Sequence, residues 1–286
     1  MTRSSTAARW AGYFAVAVVF AVACAFLSNW QFARNAERAG QLALVEANYD
    51  APAVDIAELI PSGSDFAATD EWRPVVLRGE YLADEQLLAR NRPHGGTSAF
   101  EVLVPLRLDD GRVVVVDRGW VRPGQDQPEP DAVPAAPVGE VTVTARLRPD
   151  EALPTSGRSA PEGQVPTIAV AAVGESVSGD TAAALVPDVY AIMMTEDPAP
   201  ATVPSALDSP TEDPGPHLSY AIQWILFAIM GFIFIGYVIR TEIRARREDA
   251  EDERGQNSAP RRPAASARRR DRDAEDEDAL LDAARR

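Results

Sequence analysis

Residues 220–239 hold a single clearly polar side chain, Gln223, among twenty. At about 1.5 Å of rise per residue, such a run makes a helix about 30 Å long, the thickness of a bilayer's hydrocarbon core. A buried helix of a soluble protein rarely stays apolar on every face for that length. Residues 11–27 form a second, shorter uncharged run, flanked by Trp10 and by Ser28, Asn29 and Trp30. Tryptophan at both ends suits an interfacial belt. The pattern predicts two transmembrane helices, over residues 11–30 and 218–239. The first is expected to be a retained anchor. A secretory signal cut at Ala21-Val22-Ala23 or Ala23-Cys24-Ala25 is the alternative, but the apolar run continues through Phe26 and Leu27 past either cut.

Between the two runs the period changes. Residues 31–48 read as a helical extension of the first span, with Leu42 and Val45 on one side. From residue 73 onward, alternation and β-branched runs predict strands over 73–82, 85–92, 99–108, 112–121 and 139–148. The third and fourth are joined by Asp109-Asp110-Gly111, a strong hairpin signal, so an antiparallel meander with neighbouring strands paired is expected. Sixteen of the twenty-three prolines lie between residues 123 and 216, which makes much of that region loop. Within it, 166–177 reads as a short helix or strand and 188–194 as a further strand. Residues 198–216 read as a linker into the second span. The tail after about 247 alternates Arg with Asp and Glu and is expected to be disordered. The fold class that follows is a membrane protein, two transmembrane helices flanking a mostly antiparallel-β (α+β) extracytoplasmic domain over 31–217.

Charge sets the expected orientation. The chain has no lysine, so arginine alone decides. Two arginines and no acid lie in residues 1–10, and Arg240, Arg244, Arg246 and Arg247 crowd the end of the second span. Residues 35–239 carry twelve arginines and thirty acidic residues. By the positive-inside rule both termini, 1–10 and 240–286, belong in the cytoplasm of a multi-pass plasma-membrane protein, with the acidic middle outside. Arg34 and Arg38 compete with this from the outer end of the first span. An acidic exterior lacks the basic footprint that nucleic acid requires. The one cysteine, Cys24, leaves an exported domain without an internal disulfide.

Candidate chemistry is sparse. Two histidines and one cysteine cannot assemble a four-ligand zinc site, and no Gly-x-Ser-x-Gly elbow occurs, so no enzyme is expected. His94, followed by Gly95-Gly96, reads as an exposed turn histidine. Asp117-Arg118-Gly119-Trp120 ends the most hydrophobic strand. It is either a bulged strand end with Arg118 stacked on the indole or a surface on which Arg118 and Trp120 anchor a partner. At the two span mouths lie Trp30, Gln31 and Arg34, and His217, Tyr220 and Trp224. At 100° per residue the last three share one helical stripe. They form either an aromatic belt holding an interfacial histidine or a site in which neutral His217 offers a nitrogen to a haem iron while Tyr220 and Trp224 pack on the macrocycle.

Four stretches together resemble one family: Leu27-Trp30-Gln31-Arg34, then RPVVLRGEY at 73–81, DDGRVVVVDRGWV at 109–121 and HLSYAIQW at 217–224. They are similar to the Surfeit locus protein / Shy family of cytochrome c oxidase assembly factors. The likeness covers both spans and about residues 27–148 and 188–240, whereas 150–187 and the tail match nothing in it. It implies a membrane-anchored assembly factor for a haem-copper oxidase, assisting haem a delivery to the catalytic subunit. It implies haem a binding at His217, and oxidase subunits or assembly intermediates as partners alongside the lipid bilayer. A cofactor-free accessory subunit or scaffold of a respiratory complex is the alternative.

Overall fold

The computed structural model describes residues 3–155 and 160–258. In chain order the elements are α1 (Arg3–Asn48), β1 (Val54–Asp55), α2 (Ile56–Leu59), β2 (Pro74–Tyr81), β3 (Leu87–His94), β4 (Thr97–Leu108), β5 (Val113–Val121), β6 (Glu140–Pro149), β7 (Gln164–Val165), α3 (Val170–Gly174), α4 (Gly179–Ala184), β8 (Leu185–Asp197) and α5 (His217–Ser258). They form two compact units. The described residues up to Gln31 and from Ser219 onward make a helical unit, and Phe32–Leu218 makes a sheet unit.

In the helical unit, α1 and α5 meet along small side chains. Ala17, Cys24 and Ser28 are buried on α1 and Ala221 on α5. Ser28 Oγ donates to the Ala221 carbonyl over 2.9 Å. Gly231 lies so close to Phe20 that a Cβ there would sit 2.9 Å from the ring. Small residues at a helix–helix seam let backbones approach, which is how apolar helices associate without a hydrophobic driving force. The outward faces, including Phe14, Val19, Phe26, Ile233 and Phe234, are exposed. Both helices are long and apolar enough to cross a membrane. As expected, α1 continues unbroken to Asn48.

In its described part the tail is helical, not disordered as expected. α5 runs to Ser258, eleven residues past 247. Arg, Glu, Asp and Ala sustain a helix through i,i+4 pairs such as Arg246 with Glu242 at 2.6 Å. Residues 259–286 lie outside the described residues.

In the sheet unit all five expected strands form, and 188–194 is the centre of β8. Their order is not a simple meander. β2 pairs antiparallel with β6, β6 with β8, β5 with β4, and β4 with β2; β8 and β5 pair parallel. These five pairings return to their starting strand and close a five-stranded ring. β2 and β3 are not paired, because the twelve-residue β4 divides one edge between two partners. Its first half takes β3, and Leu106–Leu108 takes Tyr81–Gly79 of β2. β8 enters between β5 and β6, so those sequence neighbours are separated too. Short parallel additions, β1 on β2 and β7 on β3, make the sheet mixed. Gly79 is required at the β2–β4 join, since a Cβ there would lie 1.9 Å from the Arg107 carbonyl oxygen.

Two cores explain why β4 and β5 read as nearly continuous hydrophobic runs. Val102, Val104, Leu106, Val114 and Val116 face the main core, while Leu103 and Val115 face a second one with Leu87, Ala89, Val165, Ile168, Val173 and Tyr190. Part of the second core comes from the Pro-rich region between β6 and β8. There 166–177 resolves into the helix α3, which covers the outer side of the sheet. Burying each such Val, Leu or Ile side chain contributes about 1.5–3 kcal/mol.

The C-terminal end of α1 is clamped to β6. Arg146 lies over the Tyr49 ring at 3.6 Å, and Arg148 over Trp72 at 4.0 Å. The two rings pack at 5.8 Å, and Asn48 Nδ2 donates to the Thr69 and Glu71 carbonyls, each over 2.8 Å.

Candidate functional site

His217 opens α5 directly after Pro214-Gly215-Pro216. Gly215, at φ +71°, makes the corner, and its amide donates to Asp213 Oδ1 over 2.8 Å. The His217 ring is half-buried against that corner, its Cδ2 3.5 Å from where a Gly215 Cβ would stand. Further along the same helix, Tyr220 is 47% exposed and Trp224 is half-buried, edge-on to Phe227 at 5.7 Å and 84°. Helical geometry puts Tyr220 about 60° and Trp224 about 20° from the azimuth of His217. An imidazole nitrogen is chemically suited to serve as an axial ligand to a haem iron. Among the described residues no three His, Cys, Asp or Glu side chains come together to hold a metal ion.

Within the helical unit, the Ser28–Ala221 bond brings the end of the first apolar stretch beside the start of the second. Trp30, 48% exposed, and half-buried Gln31 follow Ser28 at that level. Arg34, one turn further along α1, is exposed and pairs with Glu37 at 2.8 Å.

The Asp117–Trp120 stretch departs from its surface reading. The bulge is present: Leu103 opposes Asp117 and Glu101 opposes Trp120, so β5 carries one extra residue there, with Gly119 at φ +117°. Arg118, however, is wholly buried and cannot anchor a partner at the surface. Its Nη2 and Nε donate to Glu196 at 2.5 and 3.1 Å, and its Nη1 to the Pro134 carbonyl at 2.9 Å. The ring beneath it is Tyr81, at 5.5 Å, not the indole of Trp120. A buried guanidinium must have such partners, because an unpaired buried charge costs several kcal/mol. Trp120 is half-buried and already engaged. Its backbone exchanges two hydrogen bonds with Ser205, and Nε1 donates to the Ala206 carbonyl over 3.1 Å.

His94 is not the exposed turn residue expected. It ends β3, stacks on Trp120 at 5.3 Å and 12°, and has Nε2 2.7 Å from Glu101 Oε1. Behind it lies a partly buried polar cluster not anticipated from the sequence. Arg92 bridges Glu101, at 2.5 Å, and Glu151, at 2.7 Å. Glu151 also accepts from Thr167 Oγ1 and the Ile168 amide. Burial opposes the charge on Arg92, but Glu151 and Glu101 outweigh it and raise its pKa. Burial likewise works against ionised Glu151, yet Arg92 and Thr167 bring its pKa below the usual carboxylate value. Asp117, fully buried nearby, is pushed well above that value by desolvation and by the Glu101 charge. Its Oδ1 accepts from the Gly119 amide, and Oδ2 has no hydrogen-bond partner among the described residues. A signal was available: with period two, Glu101 shares its face with Ala99 and Leu103, both buried.

Comparison with known proteins covers most of the chain. The SURF1 family model matches residues 18–229. An uncharacterized SURF1-like protein of Mycobacterium tuberculosis and its counterpart in Mycobacterium bovis are each 37% identical over 246 residues, covering 84% of this chain and 87% of the relative. A SURF1-like protein of Rickettsia felis is 27% identical over 96 residues, which is 33% of this chain and 39% of that protein. The matched span takes in most of α1, the start of α5 and the complete ring of strands, and on that extent this chain belongs to the SURF1 family.

Proposed function

We propose that this protein is a membrane-anchored assembly factor for a haem-copper oxidase. In this reading α1 and α5 cross the plasma membrane, both termini are cytoplasmic, and the sheet unit stands outside. The observation that carries it is the pair of long apolar helices of a SURF1-family chain, with arginines gathered beyond the second. Haem a is the proposed cargo, transiently held. His217, at the outer start of α5, supplies the axial nitrogen, and Tyr220 and Trp224 flank the macrocycle. The cargo brings the redox-active iron; this chain binds, orients and releases it, which requires no catalytic turnover. Trp30, Gln31 and Arg34 at the neighbouring mouth, with Trp120 on the sheet unit, are the proposed contacts to oxidase subunits.

The test joins cargo to assembly. Deleting the gene should abolish oxidase activity while the oxidase genes are still transcribed. His217→Ala should remove the haem absorption bands from the purified full-length protein without changing its thermal unfolding. Normal oxidase activity in the deletion strain would end the assembly reading. Unchanged haem content in the variant would remove His217 as ligand and leave the scaffold reading.

A further inference from the structure

At the C-terminal end of α1 and just past it, within the sheet unit, Leu42, Val45 and Tyr49 follow at spacings of three and four, one apolar stripe. The 198–216 segment runs alongside but does not cover it. Arg38 holds that segment, its Nε and Nη2 donating to the carbonyls of Asp213 and Thr211 over 3.0 and 2.9 Å. The Tyr49 hydroxyl donates to Ser209 Oγ over 3.1 Å. What remains between them is a groove of about 490 Å³, floored by Leu42, Val45 and Tyr49 and rimmed by Glu46, Asp50 and Glu212.

The rim lacks counter-charge. Glu46 and Glu212 have no ion-pair partner among the described residues, and Asp50, its side chain 94% exposed, meets only Arg146 at 4.0 Å. Arg146 is itself committed to the Tyr49 ring and carbonyl, and Arg38 to the opposite wall. Three exposed carboxylates around an apolar floor repel phosphate-bearing ligands. They also disfavour a second copy of this chain, whose residues 35–239 carry thirty acids against twelve arginines. The complement is a chain segment that places cationic side chains beside an apolar one.

We infer that this groove docks a basic, partly apolar polypeptide segment of a partner protein, the carboxylates taking its Arg or Lys side chains and the Leu42–Val45–Tyr49 floor its apolar ones. The inference stands on the groove alone and does not depend on an oxidase being the partner.

The experiment uses the full chain in phosphatidylcholine nanodiscs and a fluorescein-labelled decapeptide alternating arginine and leucine, read by anisotropy. Its control is the same peptide with neutral citrulline for arginine. Saturable binding is expected for the arginine peptide. It should be weaker by about tenfold for the citrulline peptide and for the triple variant E46Q/D50N/E212Q, with thermal unfolding unchanged. Val45→Ser should also weaken it. The variant E58Q/E129Q/E162Q removes as many exposed charges elsewhere and should bind as the parent does. Equal binding of both peptides, or equal loss in the two triple variants, would overturn the groove as the site. Neither result would bear on oxidase assembly in the deletion strain.

Discussion

Asp117 follows four consecutive valines and, as residues in a row, looks like the polar end of a strand. In the fold it is fully buried beside Glu101, and the carboxyl is pushed toward its neutral form. The sign of the consequence follows from proton binding. An aspartate whose folded pKa lies above its unfolded value of about 3.9 holds its proton in the folded chain while the unfolded chain has lost it. Stability therefore falls as pH rises from about 4 through the folded pKa. Asp117→Asn keeps an oxygen for the Gly119 amide and removes the titration. It should flatten that fall and leave the protein at least as stable at pH 7, read by denaturant unfolding across pH 4–8. A variant that retains the full slope would show that another group carries it. At the same scale, Arg118 is buried rather than offered at the surface. Its composition suits an interface anchor, but whether an arginine faces water or Glu196 depends on a strand seventy-eight residues away.

At the scale of elements, the bulge in β5 and the 198–216 segment are one device. Gly119 at φ +117° brings β5 against Ser205, whose carbonyl oxygen would lie 2.3 Å from a Cβ at that position. The segment leading to α5 is thus tied to the ring through Trp120, which in turn rests on His94 and Glu101. Gly119→Ala should detach the tie and cost about 1–3 kcal/mol, seen as a lowered unfolding midpoint and faster proteolysis within 198–216. Gly179→Ala, where a Cβ meets open space in α4, is the control and should change neither. An unchanged proteolysis rate in the Gly119 variant would mean the tie does not restrain the segment. The strands themselves were legible, because alternation and β-branching belong to contiguous residues. Their partners were not. Only the three-dimensional arrangement shows β4 sharing an edge between β3 and β2, and β8 between β5 and β6.

For the whole molecule, the prediction concerns which side of the membrane each part occupies. In a Cys24→Ser background, a cysteine replacing Val138, 91% exposed on the sheet unit, should react with a membrane-impermeant maleimide on intact cells. One replacing Arg247 should react only after permeabilisation. The reverse pattern would invert the proposed topology and with it the placement of His217 at an outer mouth.

What the residues determined unaided is whatever needs only neighbours along the chain. This includes two stretches too apolar for water, the strand segments between them, the hairpin at Asp109–Gly111, and the motifs that mark the family. The tertiary structure decided which charges are hidden and which are offered. It buried Arg118, Glu101 and Asp117, closed the ring at Gly79, and left Glu46, Asp50 and Glu212 facing a groove. The physical reason is that local conformation follows sterics and hydropathy of adjacent residues, whereas the burial of a charge is set by partners that only long-range packing supplies.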